Sequence, residues 1–572
     1  AYNTALGRSA LGVNTTGANN VAVGANALDA NITGTQNVAI GTDALGANTT
    51  NNNTAVGFSA LKVNTTGTGN ASLGYSSLDA NTTGSNNTAV GADSLTTNTT
   101  GASNTGLGAT TLLSNTTGTF NTASGHASLY ANTTASNNTA SGYESLRFNT
   151  TGASNTAIGH QSLRANTTAS NNVAVGASAL DANTTGHSNV AVGTNALGAN
   201  ITHVANTMVG YQAGLSTVAD ANTFVGYQCG QTTTTGTNNT ALAVNALYSN
   251  TSGSNNTALG REALFANTTG YQNTAVGKSA GAAITTGYNN TIMGYLAGDA
   301  ITTGHTNTFL GEVAGGATTT GTTNAAIGSG ALSSNSTGSD NVAVGISALA
   351  ANTTANNNTA VGRSALDANT TGSSNTAVGH DSLGVNTEGV SNTAIGIASG
   401  HAVTTGDNNS FLGHDSGISG SPGGAITTAN NQMCLGDENI ANAHIQVDWT
   451  VASDKRDKTE VTPLVMGLDF INKLEPVTYR WDKRSKYSKD QDVTPDGTHK
   501  EEQLDVGFLA QDVEELEKEY GFNFEDKTNL TTNISEDEKM YGLKYSKFVP
   551  ALVKAVQELS AKVTELEDKL NG

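Results

Sequence analysis

NTAVGFSALKVNTTGTG, residues 53–69, is one copy of a repeat, and its reading decides the fold. A glycine marks each copy: Gly7, Gly24, Gly41, Gly57, Gly74 and onward to Gly413, nearly always 17 residues apart, with a displaced last copy at Gly436, giving 26 in all. The copy around Ala243 lacks the glycine. A short fixed period means one small unit stacked on itself. Seventeen residues cannot hold two helices, and the copies are rich in Thr, Asn, Val and Gly, with Pro422 the only proline. Short apolar runs separated by Asn, Thr and Gly predict a mainly β solenoid or β-roll, built as strand–turn–strand–turn. At a strand spacing of ~4.8 Å the stack would be a shaft on the order of 120 Å long.

Two columns bear on its interior. The position four before the marker is Asn in 25 of 26 copies (Asn3, Asn20, Asn37 and so on), with Gln432 the exception. So uniform a column predicts a ladder of side-chain amides bonding the copies above and below, ahead of a simple turn role. The position four after the marker is Leu in most copies but Gly in seven. In five of those (Gly214, Gly230, Gly298, Gly315, Gly417) the residue two before the marker grows from Ala to Met208, Phe224, Ile292, Phe309 or Phe411. Volume lost at one slot returns at the other, which places both in one packed core. That core is thin, and association of several chains along the shaft would remedy it.

Charge divides the chain near "VDWTVASDKRDKTEV", residues 447–461. Of 25 basic and 45 acidic side chains, 18 and 26 lie in residues 451–572, leaving 7 and 19 for the first 450. A net charge of −20 with so few cations argues against nucleic-acid binding. No apolar run approaches the ~20 residues of a membrane-spanning helix. Cys229 and Cys434 each fill a small repeat slot, suggesting neither a disulfide framework nor a metal site. The first residues, AYNTALGRSA, begin inside a repeat without Met, as expected of a fragment lacking its N-terminal attachment region.

Within the shaft, His126, His160, His380 and His414 follow the marker directly, in a variable slot that reads as solvent-facing. No metal or cofactor is expected there. Phe58, Tyr75, Tyr143, Tyr211, Tyr227 and Tyr295 share that slot and are the candidate sugar-stacking points. The Asn-X-Thr triplets are built into the repeat and carry no glycosylation signal of their own, and the Thr columns read as β-formers. Nineteen scattered acids supply no carboxylate pair for glycoside hydrolysis.

From residue 451 the pattern is α+β: a helix over 463–474, strands over 476–481 and 503–508 around an exposed loop, a helix over 509–521, a strand over 540–545 and a final helix. In the last, Leu552, Val556, Leu559, Val563, Leu566 and Leu570 alternate spacings of four and three, a coiled-coil seam. Val and Leu at these positions lean towards a dimer, but fewer than three heptads do not fix the number of strands.

Two resemblances follow. The pattern N-T-A-V-G-x-x-A-L resembles the head repeats of trimeric autotransporter adhesins, which are shorter than 17 residues, and is similar to phage tail-fibre repeats; it implies a left-handed β-roll in a homotrimer. "SDKRDKTEV", "LEPVTYRWD", "DVGFLAQDVEEL" and "YGLKYSKFVPALVKAVQEL" resemble the peptidase S74 intramolecular chaperone of tailspikes and endosialidases. That resemblance implies cleavage of the bond between Ala452 and Ser453 once the trimer has folded, with Ser453 as nucleophile, Lys458 as base, and Asp454 and Arg456 completing the motif. Spacing alone favours Ser453 as a cap of the following segment, with the cations a solvated run, and only the resemblance over the whole domain reverses this. The expected organisation is a shaft (1–436), a linker (437–452) and a chaperone tipped by a coiled coil (453–572). The expected role is a virion tail fibre made in the host cytoplasm, binding a host surface receptor, a glycan, and joined to other tail proteins. The alternatives are a bacterial surface adhesin and a tailspike that degrades host polysaccharide.

Overall fold

The computed structural model describes residues 2–440, 442–446, 450–488, 491–536 and 538–572. Part of the expected linker (Ala441 and 447–449) and of the expected exposed loop (489–490) therefore lies outside the described residues. The chain forms two compact units, Ala1–Thr322 and Thr323–Gly572.

The first unit holds nineteen three-residue strands, β1 (Thr4–Leu6) to β19 (Thr308–Leu310), one per copy. The second begins with seven more, β20 (Ala325–Ile327) to β26 (Met433–Leu435). Within each unit successive strands pair parallel and in register, as in Thr54↔Ala71, Ala55↔Ser72 and Val56↔Leu73. The fold is thus a β-solenoid with about 17 residues per coil. Two coils shortened to 16 residues, between Gly41 and Gly57 and between Gly210 and Gly226, keep the register: Val38 still pairs with Thr54, and Thr207 with Thr223.

The expected second strand of each coil is a run of turns instead. The Leu four after the marker adopts left-handed backbone, φ 54° at Leu78, as does the residue two after the marker, φ 51° at Ser76. A turn bond from the Asn81 N–H to the Leu78 carbonyl (3.1 Å) follows, yet these turns still bond to the next coil, Leu61 N–H to the Ser77 carbonyl at 2.9 Å. The marker glycine is required twice over. Gly57 has φ +140°, and a Cβ there would sit 2.3 Å from the Gly74 carbonyl oxygen. Ala243 holds the same backbone at φ 126°, a region that essentially only glycine occupies. Ala243→Gly is therefore expected to stabilise its coil by about 1 kcal/mol, strain relief less the extra unfolded-chain entropy of glycine. Slower amide exchange around residues 240–246 would register it.

Ala55, Ala60 and Leu61 are fully buried and represent the core of each coil. The volume exchange is direct contact: a Cβ at Gly230 would lie 2.3 Å from the Phe224 ring, one at Gly214 2.6 Å from Met208 Sδ, and one at Gly417 2.3 Å from Phe411. The two glycines without an enlarged residue in their own copy are filled from the following coil. Ile292 reaches over Gly281, with Ile284 beside it, and Phe411 reaches over Gly400.

The Asn column is buried and bonded between coils, but not amide to amide as its main pattern. Asn20 N–H donates to Asn3 Oδ1 (2.9 Å), while Asn20 Nδ2 donates to the Gly34 carbonyl (2.8 Å). A second Asn column, seven after the marker, makes the side-chain ladder: Asn98 Nδ2 to Asn81 Oδ1 and Asn115 Nδ2 to Asn98 Oδ1, both 2.7 Å. It gives way to Thr217, Thr233, Ile284, Ile301, Thr318 and Val403 in coils that carry glycine in place of the core Leu.

Strand alternation leaves the residue just before the marker facing outward. In the first unit Leu6, Ile40, Leu73, Leu107, Leu242 and Met293 are exposed along this column; in the second, Ile327, Ile395, Leu412 and Leu435.

After the coils, the second unit contains α1 (Leu468–Lys473), β27 (Val477–Tyr479), β28 (Asp505–Gly507), α2 (Ala510–Glu519), β29 (Thr532–Ile534), β30 (Tyr541–Leu543) and α3 (Phe548–Asn571). β27 pairs antiparallel with β28, and β29 with β30. Met466, Phe470, Val513, Leu516, Phe548 and Ala551 form the core. The first helix is shorter than expected. Gly467, at φ −121° and ψ −137°, stands outside helical space, and Glu558 of α3 accepts the Leu468 N–H (2.7 Å) in place of a local cap. The seam of α3 is open in the single chain: Leu552, Val556, Leu559, Val563, Leu566 and Leu570 are all exposed.

Candidate functional site: the Ser453–Lys458 pair

Residues 451–463 run exposed along the surface, and one turn of 3₁₀ helix, Lys455–Asp457, bends them back. Asp454, and not Ser453, caps that turn, accepting the Arg456 N–H at 2.9 Å. The Arg456 guanidinium closes on the same carboxylate, Nη2 to Oδ2 at 2.5 Å. These bonds, the side-chain one foremost, hold the Asp454 carboxyl below its usual range and raise Arg456. With the cap supplied by its neighbour, the Ser453 hydroxyl is available, and the turn returns Lys458 to it: Nζ to Oγ is 2.6 Å. The four residues of the motif thus divide into two pairs, one that shapes the turn and one in which a hydroxyl meets an amine. Ala452, whose carbonyl precedes Ser453, is exposed as well. A lysine acts as a base only when burial or neighbouring positive charge frees its nitrogen of the proton. Here the pair is exposed, and Arg456 is neutralised by Asp454.

The shaft candidates have other occupations. His126 and His160 stack on the two sides of Tyr143, centroids 5.6 and 5.4 Å away. Phe58 stacks on Tyr75 (5.5 Å) and Tyr211 on Tyr227 (5.4 Å), while Lys278 lies over Tyr295 at 5.4 Å. Rings that cover one another's faces leave less face for a sugar. Further ring columns that the sequence reading passed over, Tyr271–Tyr288–His305 and Tyr248–Phe265, follow the same rule. His380 lies beside Asp381 (3.2 Å) and His414 beside Asp415 and Asp437 (3.3 and 3.5 Å). Among the described residues no three His, Cys, Asp or Glu gather as a metal site, and no helix is long and apolar enough to cross a membrane. Thr hydroxyls of the turn donate to the next coil, Thr82 Oγ1 to the Thr99 carbonyl at 3.1 Å. Burial pushes the Cys229 thiol up to about 12, so it stays protonated and inert.

Two carboxylates carry structure that the sequence reading missed. Glu517 of α2, fully buried, accepts the N–H groups of Leu530 and Thr531 and the hydroxyls of Thr531 and Thr532, tying α2 to β29. Glu536 accepts from the turn Thr427–Ala429 of the last coil. Nothing in residue type or spacing separates these two from the other acids of residues 451–572.

No curated protein and no solved structure matches the chain. The tail does match: residues 453–522, which begin at the candidate serine, fit the family model Peptidase_S74, chaperone of endosialidase, and behind a parallel β-solenoid this is the arrangement of the tail fibres and tailspikes that the sequence resembles.

Proposed function

We propose that this chain is a homotrimeric tail fibre of a virus, its shaft residues 1–436, whose tail, residues 453–572, holds three chains in register during folding and then cuts itself off. The observation that carries the reading is the Ser453–Lys458 contact at the first residue of the family match. In the cut, Lys458 takes the Ser453 hydroxyl proton as Oγ attacks the Ala452 carbonyl carbon. The C–N bond breaks, the proton passes to the departing Ser453 nitrogen, and Ala452 is left as an ester on Oγ. Water then cleaves the ester, giving an Ala452 carboxylate and a free Ser453 amine. The turnover is single, since the enzyme is its own substrate.

Association supplies what one chain lacks. The outward Leu/Ile column of each unit and the bare seam of α3 are apolar surfaces that a second and third copy would cover. Crowding three tails together is also what would bury the exposed dyad, so cutting follows assembly. Host attachment, through a surface glycan, and a place on the virion follow from the same reading, as does a junction to other tail proteins. The test is the mass of freshly made protein under native and denaturing conditions. A native trimer whose denatured chains are residues 1–452 and a fragment starting at Ser453 supports the proposal; a monomer, or an intact chain of 57.7 kDa, overturns the corresponding part.

A further inference from the structure

In most coils the turn donates to the next coil. Thr387, Glu388 and Gly389 point their N–H groups at one acceptor, the Thr404 carbonyl of the next coil (2.9, 3.3 and 3.4 Å). Thr404 and Gly406 do the same to the Thr427 carbonyl (2.9 and 3.3 Å). At Thr427, Thr428 and Ala429 the repeat ends, and the equivalent donors would face water. They face Glu536 instead. The Thr427 N–H donates to Oε2 at 2.8 Å, that of Thr428 to Oε1 at 2.9 Å and that of Ala429 to Oε2 at 3.3 Å, and the Thr428 hydroxyl also donates to Oε1. A side-chain carboxylate stands where the carbonyl of one more coil would stand. Burial alone would raise the Glu536 carboxyl, but the Thr428 hydroxyl and the amides of Thr427 and Thr428 outweigh it and bring the group down to about 2. The donors therefore hold a full anion, and convergent N–H groups of this kind form an anion-binding concavity.

We propose that Thr427, Thr428 and Ala429 form a carboxylate-binding site at the end of the shaft, filled by Glu536 until residues 453–572 depart and afterwards open to the carboxylate of an acidic sugar. The proposal rests on the cleavage reading, because only the cut removes Glu536. The site is made of main chain that the coil fold itself orients, so it needs no rearrangement to accept a new occupant. Each carboxylate contact is weak alone in water; three shafts side by side would present three sites to one polysaccharide and gain by multivalency.

Two experiments separate the site from the cut. In the uncut Ser453→Ala chain, Glu536→Ala is expected to speed amide exchange at 427–429 by roughly tenfold, the loss of charge-assisted bonds. Excess propionate, which returns the missing carboxylate, should slow it again, and neutral propionamide should not. Unchanged exchange in Glu536→Ala, or exchange indifferent to propionate, overturns the site whether or not the wild type cuts. In the cut wild-type shaft, sialyllactose should give a saturation-transfer signal that lactose does not, weakened several-fold by Thr428→Val. Equal signals from the two sugars overturn the acidic ligand. Propionate rescue in a chain whose wild type never cuts would overturn the external ligand and the cleavage reading together, leaving Glu536 as a permanent end-cap.

Discussion

Ser453→Ala is expected to yield only the intact 57.7 kDa chain, still assembled, in preparations where the wild type is cut to completion. Removing the attacking oxygen leaves no nucleophile, and losses in such units are large, on the order of 10⁴-fold or more in rate. The sharper variant is Lys458→Arg. It keeps a long cation within reach of Ser453, so any fold or assembly that needs only the charge survives, but guanidinium does not give up its proton at accessible pH and cannot accept one from Oγ. Lys458→Arg should therefore stay uncut while remaining as oligomeric as the wild type. Asp454→Asn should slow cutting without stopping it, since it loosens the turn that returns Lys458 to Ser453 at 2.6 Å and leaves both reacting groups in place. Denaturing gels over time from a single folding reaction read all of these. Full cutting in Lys458→Arg would remove Lys458 from the chemistry.

Phe224 and Gly230 make the second large effect, and its signature is a rescue. Phe224→Ala should cost about 3–5 kcal/mol, because the ring is fully buried and no copy beside it can collapse into the space. Gly230→Leu alone should cost about 1–3 kcal/mol or more, since the new side chain would start 2.3 Å from the ring. Together they recreate the common coil, the pair seen at Ala22 and Leu28, and should return to within about 1 kcal/mol of the wild type. The backbone is already suited: φ is 59° at Gly230 and 49° at Leu28. Unfolding by denaturant, with exchange around residues 222–232 as a local readout, measures the cycle. Additive single and double effects would mean that the two slots do not share one core.

The period, the parallel stack and this exchange of volume were legible because a repeat reports the same contact many times over. What stayed hidden was geometry without a distinctive residue. Leu78 looks like a strand residue and is held at positive φ, so the second half of the coil was read as strand. The second Asn column looked like part of the N-T-T-G turn, and only its replacement by Thr, Ile or Val in glycine-bearing coils, such as Thr217 and Ile284, marked it as interior. In the candidate site the motif residues were plain, but spacing could not separate Ser453 as nucleophile from Ser453 as cap; Asp454 has the carboxylate that reaches the Arg456 N–H and takes the cap. The acids that cap across the fold, Glu517, Glu536 and Glu558, pair with main-chain donors far away in sequence, and main-chain donors leave no trace in a sequence.

The two 16-residue coils carry a lesson about how such a chain changes over generations. Their strands remain in register because the missing residue comes out of the turn between the two Asn columns, where Asn48 and Asn53 stand five apart instead of six. The strands and much of the turn backbone are bonded to the adjacent coil, so copies with the common Ala and Leu core can stand next to one another, whereas the coils of Gly281 and Gly400 need the enlarged residue of the coil that follows them. Genetic slippage that gains or drops one of these common copies creates no foreign junction, and shaft length becomes a quantity that heredity can adjust in single steps.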